Sequence, residues 1–300
     1  MNPDELDIPV DGGAVRLLRW GNGEHLAVAI HGITASAMSW RGVARRMPAD
    51  WTLVAADLRG RGYSNGLPRP YGLDQHVADV AAILKHFAAQ RPVLVGHSMG
   101  AYVALLTVNA YPELARKLVL LDGGLPSPFP LPEGSDPDAV LDAGLGPAIA
   151  RLKQVFPSAD AYVEFFRQHP ALGPYWTDDV EAYVRYDVQP APSGDGVRSR
   201  AVEEAVRADG RDLLLGSHRI GAALTALTEP TPLLTAPAGL FGEAPGMQPP
   251  ELVKHWQEQA PMLRPQLVPD VNHYTLIFDP AAVTVVIKAI TSPPSHAASG

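Results

Sequence analysis

Four short apolar runs, each ending abruptly at a polar residue or glycine, limit what this chain can fold into. Leu26-Ala27-Val28-Ala29-Ile30 stops at His31-Gly32, Trp51–Ala55 ends just before Asp57, Val93-Leu94-Val95 runs into Gly96, and Lys117–Leu121 stops at Asp122. Runs of this length without polar alternation suit strands covered on both faces. Helical periodicity fills the gaps. Val77, Val80, Leu84 and Phe87 recur after Asp74, which reads as an N-cap, and Lys85 and His86 suit the negative pole of that helix. Gly100–Ala110 is a second helix, rich in small residues and stopped near Pro112. Strands alternating with helices predict a mostly parallel sheet with helices on both faces. A hairpin leads into it: Leu6–Val10, a turn at Asp11-Gly12-Gly13, then Ala14–Trp20.

After Asp122 the pattern changes. Residues 123 to about 230 carry many prolines and no strong strand run, with helical stretches near 147–156, 159–168, 178–187, 200–215 and 217–227. A helical insertion fits this better than a structureless loop of that length. Strand patterns return at Pro232–Ala236 and Pro265–Val271, around a helix near 249–260, and a last helix spans about 280–291. The expected plan is a core over 1–123, a helical cap over 124–230, the rest of the core over 231–291, and a disordered tail over 292–300.

Composition narrows the class further. Hydrophobic residues make up 46% and charged residues 19%, which excludes a disordered chain. The net charge is −8 and Lys and Arg are scattered, so no nucleic-acid partner is expected. Cysteine is absent, which removes disulfides, thiolate metal sites and cysteine nucleophiles. The stretch from Met1 to Asp7 is acidic, and no run approaches a membrane span, so a soluble cytoplasmic protein is expected. Gly60-Arg61-Gly62-Tyr63-Ser64-Asn65 fails the dinucleotide fingerprint at its third glycine. No phosphate-binding loop or metal-ligand spacing occurs either, so neither cofactor nor metal is expected.

The segment Val93-Leu94-Val95-Gly96-His97-Ser98-Met99-Gly100-Ala101 carries the chemistry. It is G-x-S-x-G between a predicted strand and a predicted helix. A serine on so tight a turn has a strained backbone, and side chains two positions either side would collide. Gly96 and Gly100 remove those collisions and let the hydroxyl project from the sheet edge, beside the N-terminal amides of the next helix.

With these residues the chain resembles the α/β-hydrolase superfamily over nearly its whole length. Gly96-His97-Ser98-Met99-Gly100 matches the nucleophile elbow, and His31-Gly32-Ile33 is similar to the oxyanion-loop motif. Asp57-Leu58-Arg59-Gly60-Arg61-Gly62-Tyr63-Ser64 is similar to the D-x-R-G-x-G-x-S turn, a structural feature of that family, so Asp57 and Arg59 are assigned no chemistry. Asn272-His273 sits where the family keeps its catalytic histidine, and 123–230 lies where it keeps a helical cap.

A serine hydroxyl needs a base to become a nucleophile. His273 follows the last strand in a loop that should open at the same sheet edge as Ser98, and serine first with histidine last is the chain order of this fold. His31 and His97 read as structural, His76 and His86 as solvated on a polar helix face, and His296 as part of the tail. His218 and His255 are distant seconds in the cap and on the surface. The acid is open between two residues. The loop after the strand at 232–236, where the family usually keeps it, has Glu243 as its only acid. Asp122 ends its own strand directly and is favoured, because a carboxylate there is held rigidly. The resemblance implies backbone oxyanion donors at Ile33 and Met99.

The sequence therefore predicts a serine hydrolase that cleaves a carboxylic ester, thioester or lactone through an acyl-enzyme on Ser98. A serine in the elbow speaks against the aspartate-nucleophile branch, and so against epoxide hydrolysis. Cap aromatics Tyr162, Phe165, Phe166, Tyr175, Trp176, Tyr183 and Tyr186 pack mostly on one another, with a few lining the pocket, and suggest an apolar or aromatic small-molecule acyl substrate. Two alternatives remain: C–C bond hydrolysis or cofactor-free peroxidation on the same scaffold, and a non-enzymatic ligand-binding receptor. A homodimer is compatible with the sequence.

Overall fold

The structure is a computed structural model that describes residues 2–127, 131–192 and 194–293. Its first part comprises β1 (Asp4–Val10), β2 (Gly13–Trp20), β3 (His25–Ile30), α1 (Arg41–Ala44), β4 (Trp51–Ala56), α2 (Leu73–His86), β5 (Val93–His97), α3 (Met99–Ala110) and β6 (Lys117–Leu121). Then come α4 (Pro137–Leu152), α5 (Ala159–Arg167), α6 (Asp178–Tyr186), β7 (Val188–Pro190), β8 (Val197–Ser199), α7 (Glu203–Leu215) and α8 (Ser217–Thr225). The chain closes with β9 (Thr231–Thr235), α9 (Pro250–Gln259), β10 (Leu263–Leu267) and α10 (Pro280–Thr291).

Eight strands form one sheet in the order β1-β2-β4-β3-β5-β6-β9-β10, in which β2 alone runs against its neighbours. Successive residues of a strand point to opposite faces, and here both faces are covered. Val28, Val54, Leu94, Leu118 and Leu233 face a core shared with α2, α3, α8 and α9. Ala27, Leu53, Val95, Val119 and Leu234 face a second core with α1 and α10. That is why the strand sequences lack polar alternation. One consequence governs the rest. The carboxyl ends of β3, β5, β6 and β9 open along a single edge, and the residues just past them meet there.

The segment between β6 and β9 differs in detail from its sequence pattern. Helix α4 starts at Pro137, well before the expected 147, with the Asp136 carboxylate accepting from the Asp138 amide at 2.9 Å. Gly144, Gly146 and Pro147 mask this helix in the sequence. Close packing on α7 sustains it: a Cβ at Gly210 would lie 2.6 Å from the Leu141 side chain. The β7–β8 hairpin leaves no mark in the sequence pattern, because strands of three residues are too short to show a period. Helix α8, read as part of the insertion, contributes Ile220, Ala223 and Leu224 to the core against the sheet.

Two sequence expectations are corrected on α2. Asp74 is not its N-cap; it lies in the first turn and pairs with Arg219 at 2.5 Å. The N-cap is Gly72, and the amides of Gly72 and Leu73 are received by the carboxylates of Asp209 (2.8 Å) and Asp212 (2.9 Å) on α7. Capping in trans cannot be seen in local sequence. His76 is not solvated either. It is fully buried, with Nε2 2.9 Å from Asp209, because the polar face of α2 lies against α7 instead of water. His86 is exposed, as expected.

Ser292 and Pro293 are described; the rest of the expected tail, including His296, lies outside the described residues. Among the described residues no helix is long and apolar enough to cross a membrane.

Burial alone would raise the Asp209 carboxyl, but Arg61 and His76 outweigh it and hold the group down at about 2. A carboxyl depressed from 3.8 to about 2 contributes stability that is present above about pH 4 and is lost as the pH falls through 2. Asp209→Asn should therefore be less stable than the parent by roughly 2 kcal/mol at pH 6, and the gap should close between pH 4 and pH 2. Urea unfolding across that range measures it, and a pH-independent gap would contradict it.

Candidate active site

Ser98 sits between β5 and α3 with φ 55° and ψ −125°, a conformation that costs a non-glycine residue energy. Glycines make the turn feasible. A Cβ at Gly96 would lie 2.1 Å from the Gly100 carbonyl oxygen, and one at Gly100 would lie 2.2 Å from that of Ile30. The Ser98 amide donates to the Leu121 carbonyl at 2.9 Å, which ties the turn to β6. Met99 is the first residue of α3, so its N–H has no acceptor within the helix. The Ser98 side chain is half-buried and lines a cavity.

His273 lies in the loop after β10 and lines the same cavity. Its Nδ1 is 2.7 Å from Asp122 Oδ2, with both side chains buried. The other Asp122 oxygen accepts from the Ala236 amide at 3.2 Å, and the Asp122 amide donates to the Leu234 carbonyl at 2.7 Å. The carboxylate is thus fixed between β6 and β9. Glu243, the alternative acid, is exposed in the loop after β9. The His273 backbone is fixed as well. Its amide donates to the Ala238 carbonyl at 2.9 Å, and its carbonyl accepts from His97 Nε2 at 2.9 Å. Burial, with His273 nearby, pushes His97 well below the usual histidine range, so this ring stays neutral.

The loop after β3 brings Gly32 against the serine: a Cβ on Gly32 would lie 3.4 Å from Ser98 Oγ. His31 clamps this loop, with Nδ1 2.7 Å from the Gly32 carbonyl and Nε2 accepting from the Leu58 amide at 3.0 Å. Because Nε2 accepts, Nδ1 carries the proton and donates. Burial, reinforced by Arg61 and His76, pushes His31 down to about 3. The Gly32 carbonyl also accepts from Ala35 N–H at 3.1 Å. In a planar trans peptide the N–H lies opposite the C=O, so the Ile33 N–H points away from the His31 clamp.

Asp57 and Arg59 are held by buried partners. Asp57 accepts from Ala37 N–H and Tyr63 N–H, each at 2.8 Å, and from the Tyr186 hydroxyl at 2.7 Å. Arg59 pairs with buried Asp79 at 2.9 Å. Among the described residues no group of three or more His, Asp or Glu is arranged to hold a metal ion.

The cavity measures about 560 Å³ and reaches from Ser98 to α4, α5 and α7. Its walls include Leu141, Leu145, Phe166, Leu213, Leu214 and Phe278. Of the cap aromatics, Phe165, Phe166 and Tyr183 line it, whereas Tyr162 is buried away from it. Among the described residues Arg151 is the one Lys or Arg in the wall, and Asp187 holds it at 3.0 Å. His169 also faces this cavity and went unnoticed in the sequence. It lies in a loop without helical or strand period, and only its histidine identity could have flagged it. Its Nδ1 accepts from the Ala171 amide at 3.2 Å, and the Ala171 carbonyl accepts from Asn272 beside His273 at 2.9 Å. His218 is exposed and His255 half-buried on α9, neither among the cavity residues.

A parallel sheet with a serine elbow, a histidine–carboxylate pair and a clamped glycine loop at one edge defines a class of enzyme scaffold. The chain belongs to the family described as alpha/beta hydrolase fold, whose model matches residues 28–205. It is 35% identical over 109 residues to Epoxide hydrolase 4 of Mus musculus, which is 36% of this chain and 30% of that protein. It is 31% identical over 114 residues to 2-(acetamidomethylene)succinate hydrolase of Mesorhizobium japonicum, 38% of this chain and 41% of that one. The matched segments thus span less than half the length of these relatives. The crystal structure of E-2-(acetamidomethylene)succinate hydrolase superposes with a TM-score of 0.74 at 22% identity, covering 96% of this chain and 99% of that chain, which shows a shared fold.

The strain at Ser98 yields a test. Glycine adopts this φ and ψ freely, which relieves about 1–3 kcal/mol, against about 0.5–1 kcal/mol of extra unfolded-state entropy. Ser98→Gly should be more stable than the parent by about 1 kcal/mol in urea unfolding. Equal or lower stability would show that the turn is unstrained.

Proposed function

We propose that this chain is a serine hydrolase that cleaves a carboxylic ester, or a related thioester or lactone, through an acyl-enzyme on Ser98. The Asp122–His273 bond of 2.7 Å, in the same cavity as Ser98, carries this reading. Asp122 holds Nδ1 protonated, which leaves Nε2 as the basic nitrogen. His273 takes the Ser98 proton as Oγ attacks the carbonyl carbon. The tetrahedral oxyanion is received by the N–H groups of Met99 and Ile33, each worth about 3 kcal/mol in such a site. His273 then protonates the leaving alcohol or thiol. Water, deprotonated by the same ring, attacks the acyl carbon and regenerates Ser98.

The cavity wall supports an apolar acyl group. It offers aliphatic and aromatic surface, and the one Lys or Arg it shows among the described residues, Arg151, is already paired with Asp187. A doubly charged substrate, of the kind named in the Mesorhizobium relative, would find little compensation there. Epoxide opening by an aspartate nucleophile is disfavoured because position 98 is serine.

Ser98→Ala should abolish both fluorophosphonate labelling and nitrophenyl-ester turnover. Asp122→Asn should lower kcat by about 10⁴-fold, while Glu243→Gln should stay within about twofold. Absence of labelling in the parent would sink the reading in favour of a binding role. Equal losses in the two acid variants would remove Asp122 from it. Chain length gives a second measurement. Each methylene buried in the cavity is worth about 0.8 kcal/mol, so kcat/KM should rise about fourfold per carbon from acetate toward hexanoate. A flat or falling series, or a preference for acyl groups bearing carboxylates, would contradict the apolar assignment.

A further inference from the structure

The loop that presents the Ile33 N–H is held from behind by a side chain, and that side chain is held by α7. Arg61 Nε donates to the Ile33 carbonyl at 2.9 Å. Its Nη1 donates to the Arg59 carbonyl at 3.0 Å and lies 2.5 Å from Asp209 Oδ2. The same Asp209 oxygen is 2.9 Å from His76 Nε2, and its other oxygen accepts from Gly72 N–H at 2.8 Å. Arg61, His76 and Asp209 are all fully buried.

These contacts fix both peptide planes that flank Ile33. His31 holds the Gly32 carbonyl at 2.7 Å, which orients the plane carrying the Ile33 N–H. Arg61 holds the Ile33 carbonyl, which orients the next plane. A guanidinium is planar, so a fork engaged at two edges cannot swing without breaking one of its bonds. The far end of the loop is tied in the same way. Ala37 N–H donates to Asp57, which also receives the Tyr186 hydroxyl from α6. Each end of the loop therefore reaches the segment between β6 and β9 through one side chain of the turn at 57–64.

We propose that Asp209 is a positioning residue for the oxyanion hole: from α7 it sets Arg61, and Arg61 keeps the Ile33 peptide aimed at the reacting carbonyl. The proposal rests on the acyl-transfer reading of the site. Arg61 Nη2 already lacks a partner in its buried setting. Loss of the Asp209 charge would leave the whole guanidinium uncompensated, and it would turn to find other acceptors. The Ile33 carbonyl would then be released and the loop would loosen, while Ser98, His273 and Asp122 stayed where they are.

The test uses the full chain and two variants, Asp209→Asn and Arg61→Lys, so that failure of either one to fold leaves the other. Hydrogen exchange of residues 31–37 is measured beside kcat and KM for nitrophenyl butyrate, with rates normalised to sites titrated by a fluorophosphonate. The expected result is exchange at least 10-fold faster in 31–37 with β5 and α3 unchanged. Alongside it, kcat per titrated site should fall about 10- to 100-fold with KM within threefold, and the double variant should be no worse than the weaker single. A purely structural Asp209 would lower the number of titratable sites and leave kcat per site intact, which would overturn the proposal. Lost turnover without faster exchange in 31–37 would overturn it too. A parent that neither labels nor turns over esters would instead sink the acyl-transfer reading, and the exchange data would still report whether Asp209 holds the loop.

Discussion

The constraint on which this site depends is the passage of the chain through Ser98 at positive φ, with glycine on every side of it. Gly96 and Gly100 belong to the turn itself, whereas Gly32 and Gly123 arrive from β3 and β6. They arrive there because β5 lies between those strands in register, Ile30 opposite Gly96 and His97 opposite Leu121. One residue past the end of each strand stands His31, Ser98 or Asp122. Strand pairing alone thus delivers the Gly32 loop, the serine and the carboxylate to one place. The strain is tolerated because the surrounding backbone leaves the turn no alternative.

That origin explains what could be read from the sequence. Strands covered on both faces announce themselves by unbroken apolar runs, and a strained elbow announces itself by its two glycines. The choice between Asp122 and Glu243 was a different matter, since it depends on where two loops meet in space. The structure brings His273 Nδ1 to Asp122 and leaves Glu243 exposed. The same limit accounts for Asp74 and His76. Local pattern makes one a cap and the other a solvated side chain, but α7 supplies the capping carboxylates and buries the histidine. The start of helix α4 is hidden in the sequence because Gly144, Gly146 and Pro147 weaken a pattern that packing on Gly210 restores.

Charge, as well as apolar contact, seats the segment between β6 and β9 on the sheet. Asp209 on α7 pairs with Arg61, and Asp179 on α6 pairs with Arg41 at 2.5 Å and Arg45 at 3.1 Å. Within the segment, Asp187 gathers Arg151, the Tyr162 hydroxyl and the Ser199 hydroxyl. A fully buried pair such as Asp209–Arg61 contributes little net stability against an apolar substitute, yet removing one partner is strongly destabilising. Such pairs therefore act as registers. They penalise a helix that sits one turn away far more than greasy contact would, which matters where the helices wall a cavity of defined shape.

The handling of protons at the edge follows from burial and tautomer. His31, His97 and His273 stand at or past strand ends on this edge, and the first two are locked. His31 must carry its proton on Nδ1, because Nε2 accepts from Leu58 N–H. His97 donates from Nε2 to the His273 carbonyl, and burial keeps it from gaining a second proton. Were either ring to become a cation, it would oppose charge on His273, whose ring centroid is only 4.7 Å from that of His97. Of the three rings, His273 is the one that faces a carboxylate, with Nδ1 2.7 Å from Asp122. The two locked rings hold backbone, and the third is the ring to which the proposed acyl transfer assigns the proton. That division is set by which atoms the fold leaves unpaired, and no difference among the three side chains themselves would produce it.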